Sequence, residues 1–116
     1  MDKQRLEKYR HIIIDVLEYY SKLPSIEAKD VEIEEQLIVD TKHDHYQILT
    51  IGWEGGKRVY YPIFHIDIKK DKVWVQEDST DFDLVEQLEN RGISKSDIVL
   101  AFHAPYNRHL TGYAEA

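Results

Sequence analysis

Between His45 and Glu77, three runs rich in β-branched and aromatic residues are separated by only two short turns. No other feature narrows the fold as much. Glu54-Gly55-Gly56-Lys57 reads as a hairpin turn, because paired glycines adopt positive φ without strain. Lys69 to Lys72 makes the next turn. Strands joined this closely form an antiparallel meander. In the first run, His45 to Trp53, alternation points Leu49, Ile51 and Trp53 one way and Tyr46, Ile48 and Thr50 the other. In the second, Arg58 to Ile68, the same rule sets Phe64, Ile66 and Ile68 against Val59, Tyr61 and Ile63. Pro62 lacks an amide donor, so this run meets an edge or a bulge there. The third run, Val73 to Glu77, is short. An earlier alternating stretch, Val31 to Asp40, adds a strand whose break at Glu35 marks a bulge or register change.

The rest of the chain supplies cover for this sheet. Residues 3 to 22 read as an amphipathic helix. Leu6, Tyr9, Ile13, Val16, Leu17 and Tyr20 recur at spacings of three and four, Ile12 and Ile14 broaden the stripe, and Pro24 stops it. Asp78 to Asp81 reads as a second helix start, with Thr80 as cap and Asp81 and Asp83 near the positive end of the dipole. Leu84, Val85 and Leu88 form its buried side, and Gly92 ends it in a left-handed conformation. Ile98 to Phe102 is the densest apolar run. It reads as a fifth strand, with a short buried helix as the alternative, and Pro105 breaks it. The expected fold is α+β. An N-terminal helix packs on an antiparallel meander sheet of four to five strands, with a second helix and a C-terminal buried segment. One face of the sheet meets the first helix; the C-terminal segment or another subunit covers the other.

At 116 residues the chain suits a single domain, 1–116, with a core that needs no staples. The absence of cysteine excludes disulfide and thiolate chemistry and fits a reducing compartment. No apolar run approaches the roughly 18 residues of a membrane span, and no signal-peptide pattern opens the chain. A cytoplasmic protein with no membrane partner is therefore expected. A net charge of −7 opposes tight, direct DNA binding. The small cationic groups, Lys57–Arg58 and Lys69–Lys72, would have to act alone in such a role. Eight tyrosines and two tryptophans suit a half-buried sheet or a protein interface.

Candidate chemistry is sparse. His43 and His45 form an H-x-H pair, which on a strand would face one way. His65 and Asp67 share that spacing on the next strand, and His103 could approach them. A two-histidine, one-carboxylate metal site follows as an alternative, although such spacings also arise by chance. Glu77, Asp78, Asp81 and Asp83 crowd one junction, where capping and solubility explain them better than acid–base catalysis. No G-x-S-x-G, P-loop or G-x-G-x-x-G is present. Tyr106, Asn107, Arg108 and His109, with Tyr113 beyond, make a polar and aromatic cluster. It is either a recognition surface or a set of internal anchors. Trp53, His103, Pro105, Tyr106, Arg108 and Tyr113 are the partner-binding candidates. No cofactor and no enzymatic activity are expected.

One segment has a familiar pattern. KSDIVLAFH-x-P at Lys95 to Pro105, then Arg108 and TGYA at Thr111 to Ala114, resembles the ending of the XisI family. These are the fdxN element excision controlling factor proteins of cyanobacteria. The resemblance extends through Leu6-Glu7-x-Tyr9-Arg10, His45-Tyr46-Gln47, Ile51-Gly52-Trp53-Glu54, His65-Ile66-Asp67-Ile68 and Val73-Trp74-Val75-Gln76, and so covers essentially the whole chain. It implies an accessory factor in the programmed removal of a DNA element from a nitrogen-fixation operon in differentiating heterocysts. It also implies a companion protein, XisH. Homo-oligomerisation is a further expectation from the residues themselves, because an antiparallel sheet with apolar residues on both faces needs cover. It carries no catalytic residue onto this sequence. The competing expectations are a small metal-dependent or nuclease-associated enzyme subunit using the histidines, and direct nucleic-acid binding through the basic turns.

Overall fold

The computed structural model describes residues 1–24 and 31–116, leaving out the side chain of Val31. The first helix, α1, spans Lys3–Ser21. Asp2 starts it, accepting the Arg5 amide at 2.8 Å in place of a missing helical partner. Its buried face is Tyr9, Ile12, Ile13, Val16 and Leu17. Burying each aliphatic side chain contributes about 1.5–3 kcal/mol, so tertiary packing holds this helix more than propensity does.

The strands are β1 (Val31–Asp40), β2 (His45–Glu54), β3 (Lys57–Lys69), β4 (Lys72–Asp78) and β5 (Ile98–Leu100). They form one sheet in the order β1-β2-β3-β4-β5. The first four make the antiparallel meander. Gly55 and Gly56 both have positive φ in the two-residue turn between β2 and β3. Lys70 and Asp71 adopt the same conformation between β3 and β4. The fifth strand runs parallel to β4, unlike the others. A parallel neighbour requires a crossover, and the second helix, α2 (Leu84–Asn90), lies in the connection that provides it. Gly92 and Ile93 close α2 by donating to the Glu89 and Leu88 carbonyls, the double bond of a Schellman ending.

The structure corrects three expectations. First, β1 pairs with β2 in unbroken register from Val31 to Asp40, so Glu35 causes no bulge. Its carboxylate sits by the Tyr20 hydroxyl, whose pKa burial and this nearby charge both raise. A polar residue on the apolar face is thus a partner for a helix tyrosine. Second, strict alternation fails along β3, where the irregularity expected at Pro62 is a bulge: Ile48 faces Phe64, but Leu49 faces Pro62. The bulge returns Val59 and Tyr61 to the face of Phe64, because they pair with Gly52 and Thr50, and Ile63 joins the core. Strict alternation had set those residues opposite. Third, α2 begins at Leu84, later than Asp78–Asp81 suggested. Thr80 accepts the Phe82 amide at 3.2 Å in a local turn instead of capping, and Asp83 occupies the N-cap position with φ 59° and no side-chain capping bond. His43 lies in the turn before β2, which starts at His45 as the pattern predicts, so the H-x-H pair does not share a strand.

The core lies between α1, α2 and one face of the sheet. Tyr46, Ile48, Phe64, Ile66, Val73 and Val75 meet Ile13, Val16, Leu17, Leu84 and Leu88 there. Polar ties fix the helix over the sheet. Arg10 donates to both oxygens of Asp44, at 2.7 and 3.0 Å, and the buried Tyr46 hydroxyl donates to Asp44 at 2.7 Å. The Tyr9 hydroxyl donates to Asp97 at 2.6 Å. No helix among the described residues is long and apolar enough to cross a membrane.

Candidate functional site

The sheet face turned away from α1 carries the candidate site. His45 pairs with Asp67 across β2 and β3, and Gln47 pairs with His65. Directly opposed residues share a face, so His45, His65 and Asp67 project together. His45 Nδ1 donates to Asp67 Oδ1 at 2.7 Å, and His65 Nε2 donates to the same oxygen at 2.9 Å. Gln76 Nε2 donates to the other oxygen at 3.3 Å. A register shift between His65 and Ile66 makes Gln76 the extra residue on β4 and puts its amide within reach. Gln76 was not singled out in the sequence. Its alternation with Trp74 was the one available signal.

Burial alone would raise the Asp67 carboxyl, but the hydrogen bond from His45 and the charge and hydrogen bond of His65 outweigh it and hold the group below the usual carboxylate range. The Asp67 hydrogen bond in turn raises the His45 pKa, helped by the Asp67, Asp40 and Asp44 charges. The sign of the resulting pH dependence follows. A histidine with a raised folded pKa contributes stability that is complete below its ordinary value of 6.5 and is lost as pH rises through the raised value. A carboxylate with a lowered pKa contributes stability above its ordinary 3.8 that is lost as pH falls through the lowered value. The cluster therefore stabilises most between those two limits. Urea unfolding at a series of pH values from roughly 6 to 9 should show this contribution fading toward high pH in the native chain and missing in Asp67→Asn. Parallel profiles for the two proteins would contradict it.

The other nominated histidines stand apart. His43 Nδ1 pairs with Asp40 at 2.9 Å in the turn, so the H-x-H pair does not converge. His103 follows β5, exposed, with its ring centroid 4.8 Å from that of Phe102. Among the described residues, only His45, His65 and Asp67 form a group suited to a metal ion. Near α2, burial raises the Asp78 carboxyl against a hydrogen bond from the Thr80 amide, and its Oδ1 has no partner. Glu77 instead accepts from the Ser79 hydroxyl.

The partner-binding candidates divide in two. Arg108 is occupied internally: it donates to the Ala101 and His103 carbonyls, each at 3.1 Å, and its guanidinium lies 5.5 Å from the Trp74 ring centre. It thereby covers part of the open face beside β5. Tyr113 donates to Glu89 at 3.2 Å, with Lys95 Nζ 5.0 Å from its ring centre. Pro105 opens a 3₁₀ helix, Pro105–Leu110, that leaves Tyr106 77% exposed. Trp53 is 49% exposed at the far end of the face, with Arg58 5.5 Å from its ring centre. Tyr60, paired with Ile51, stands beside it and is 63% exposed. Strict alternation from Phe64 would put Tyr60 on the core-facing side. The bulge at Pro62 is what turns it onto this face.

A family model described as "XisI protein" matches residues 1–115. No curated protein matches the chain. Two solved structures from Anabaena variabilis ATCC 29413 do. A XisI-like protein is 40% identical, covering 96% of this chain and 99% of its own, with a TM-score of 0.84. The fdxN element excision controlling factor XisI is 38% identical, covering 96% and 98%, with a TM-score of 0.81. Full-length agreement in sequence, fold and family model leads to one conclusion: this chain belongs to the XisI family.

Proposed function

We propose that the chain is a non-catalytic accessory factor that controls excision of a DNA element by binding a partner protein of the XisH type in the cytoplasm. The observation that supports this most is the cluster of Trp53, Tyr60 and Arg58, which share one face of the sheet and are exposed together. Tryptophan, tyrosine and arginine are the side chains that dominate binding energy at protein interfaces. The relative described as an excision controlling factor supports the biological context. Charge supports an indirect role at DNA. The basic turns at Lys57–Arg58 and Lys69–Lys72 lie at opposite ends of β3, about 40 Å apart at the usual rise per residue. They do not combine into one cationic surface on a chain of net charge −7.

The test separates interface from anchor. Trp53→Ala and Tyr60→Ala should each weaken partner capture at least about tenfold, as interface anchors do, with the melting temperature little changed. Arg108→Ala and Tyr113→Ala should lower the melting temperature and leave capture intact. Unchanged capture in the Trp53 and Tyr60 variants, with loss in Arg108→Ala, would move the interface to the C-terminal segment. Self-association through the same face is the competing outcome, read as a mass twice that of the 13.8 kDa chain without any partner.

A further inference from the structure

We propose that His45, His65 and Asp67 bind one divalent first-row transition ion on the open face of the sheet, with the remaining coordination positions facing solvent. The inference is independent of the partner-binding reading. Two imidazoles and one carboxylate are a donor set that suits zinc, cobalt, nickel or iron(II) and disfavours magnesium or calcium, which take oxygen ligands. One donor atom from each residue lies within 4.8 Å of the others. The two imidazole nitrogens already stand 2.7 and 2.9 Å from Asp67 Oδ1. Around an ion with bonds of about 2.1 Å, neighbouring ligand atoms are about 3.0 Å apart in octahedral and about 3.4 Å apart in tetrahedral geometry. Both imidazole–Asp67 separations are therefore within a few tenths of an ångström of those an ion needs, and all three donor atoms are close enough to converge on one.

The scaffold favours the site in three ways. All three ligands come from paired strands, whose ladder fixes their spacing. Asp67 is oriented from behind by Gln76, the supporting role that hydrogen-bond partners of metal ligands usually play. His45 is 60% exposed, which leaves an entry path and room for water or a further ligand. On binding, the ring nitrogens that now donate to Asp67 become ligands. For a neutral ring the proton moves to the other nitrogen; an imidazolium releases its proton to solvent. No oxidation or bond cleavage is involved.

The experiment is calorimetric titration of the untagged full chain with Zn²⁺ and Co²⁺, with the visible absorption of bound Co²⁺ as a second readout. The expected result is one ion per chain with nitrogen ligation. His65→Ala and Asp67→Asn should bind at least about tenfold more weakly, and Gln76→Ala about tenfold more weakly. His43→Ala and His103→Ala should bind as the native chain does. If Asp67→Asn fails to fold by circular dichroism, His45→Ala decides the matter, because its side chain is largely exposed. The proposal is overturned by absence of binding at stoichiometric metal, by retention of affinity in His45→Ala and His65→Ala, or by equal binding of Mg²⁺ and Ca²⁺.

Discussion

Phe64→Ala should lower the free energy of unfolding by about 3–5 kcal/mol, the usual cost of emptying a large aromatic site in a closed core. Phe64 is fully buried on β3. Its ring meets Tyr20 of α1 edge-on, with centroids 4.8 Å apart and planes at 84°. Phe82, which precedes α2, lies 5.9 Å away and itself meets Tyr20 at 5.1 Å. Three elements therefore converge on one side chain, and each favourable aromatic pair adds about 0.5–1.5 kcal/mol beyond area burial. Domains of this size are stable by only about 5–15 kcal/mol, so the variant would sit near the edge of folding. Urea unfolding followed by circular dichroism measures the change. Ile38→Ala, on a side chain 38% exposed, is the control and should stay within about 0.5 kcal/mol of the native chain. A loss below about 1 kcal/mol in Phe64→Ala would mean that the cavity collapses freely and that the aromatic cluster does not hold the helices to the sheet.

Gly52→Ala should be comparably severe for a different reason. Gly52, on β2, pairs with Ile33 of β1 and has φ 152°. A Cβ there would collide with the Glu32 carbonyl oxygen and stand 2.8 Å from Ile33 Cα and 2.9 Å from the Glu32 carbonyl carbon. All three are backbone atoms, so no side-chain rotation relieves the clash. Relief requires β1 to move, and β1 is an edge strand with a partner on one side only. The expected cost is about 3 kcal/mol, combining backbone strain with overpacking. Hydrogen exchange should show β1 amides losing protection first while the β3 and β4 amides retain theirs. Gly55→Ala is the contrast. It has φ 55° but nothing within 4 Å of the added carbon, so only the left-handed strain of about 1–2 kcal/mol applies. Equal effects of the two substitutions would contradict the close approach of β1.

The elements that the sequence made legible are those governed by local rules. The helical stripe from Tyr9 to Leu17 appears because 3.6-residue periodicity is written in the residues themselves, and Gly55–Gly56 marks its hairpin by what only glycine does cheaply. What was hidden depends on partners distant in sequence. Pro62 announced an irregularity, but only pairing with β2 shows that the extra residue is Ile63 and that Tyr60 consequently joins Trp53 on the open face. The parallel pairing of β5 rests on where the α2 connection delivers the chain, which Ile98–Leu100 cannot encode alone. Thr80 and Asp81 look like a helix start by composition, yet the chain spends Thr80 on a local turn first. At the site, His65 and Asp67 were visible as an alternating pair. Their meeting with His45 rather than His43 was decided by which histidine falls inside the β2 ladder.

Co-expression of this chain with an XisH-type protein, followed by light scattering on whatever elutes together, tests partner binding most directly. The predicted result is a hetero-complex of defined mass that fails to form with the Trp53→Ala, Tyr60→Ala double variant. Elution of this chain alone, as a monomer or homo-oligomer beside the unbound partner, would contradict it.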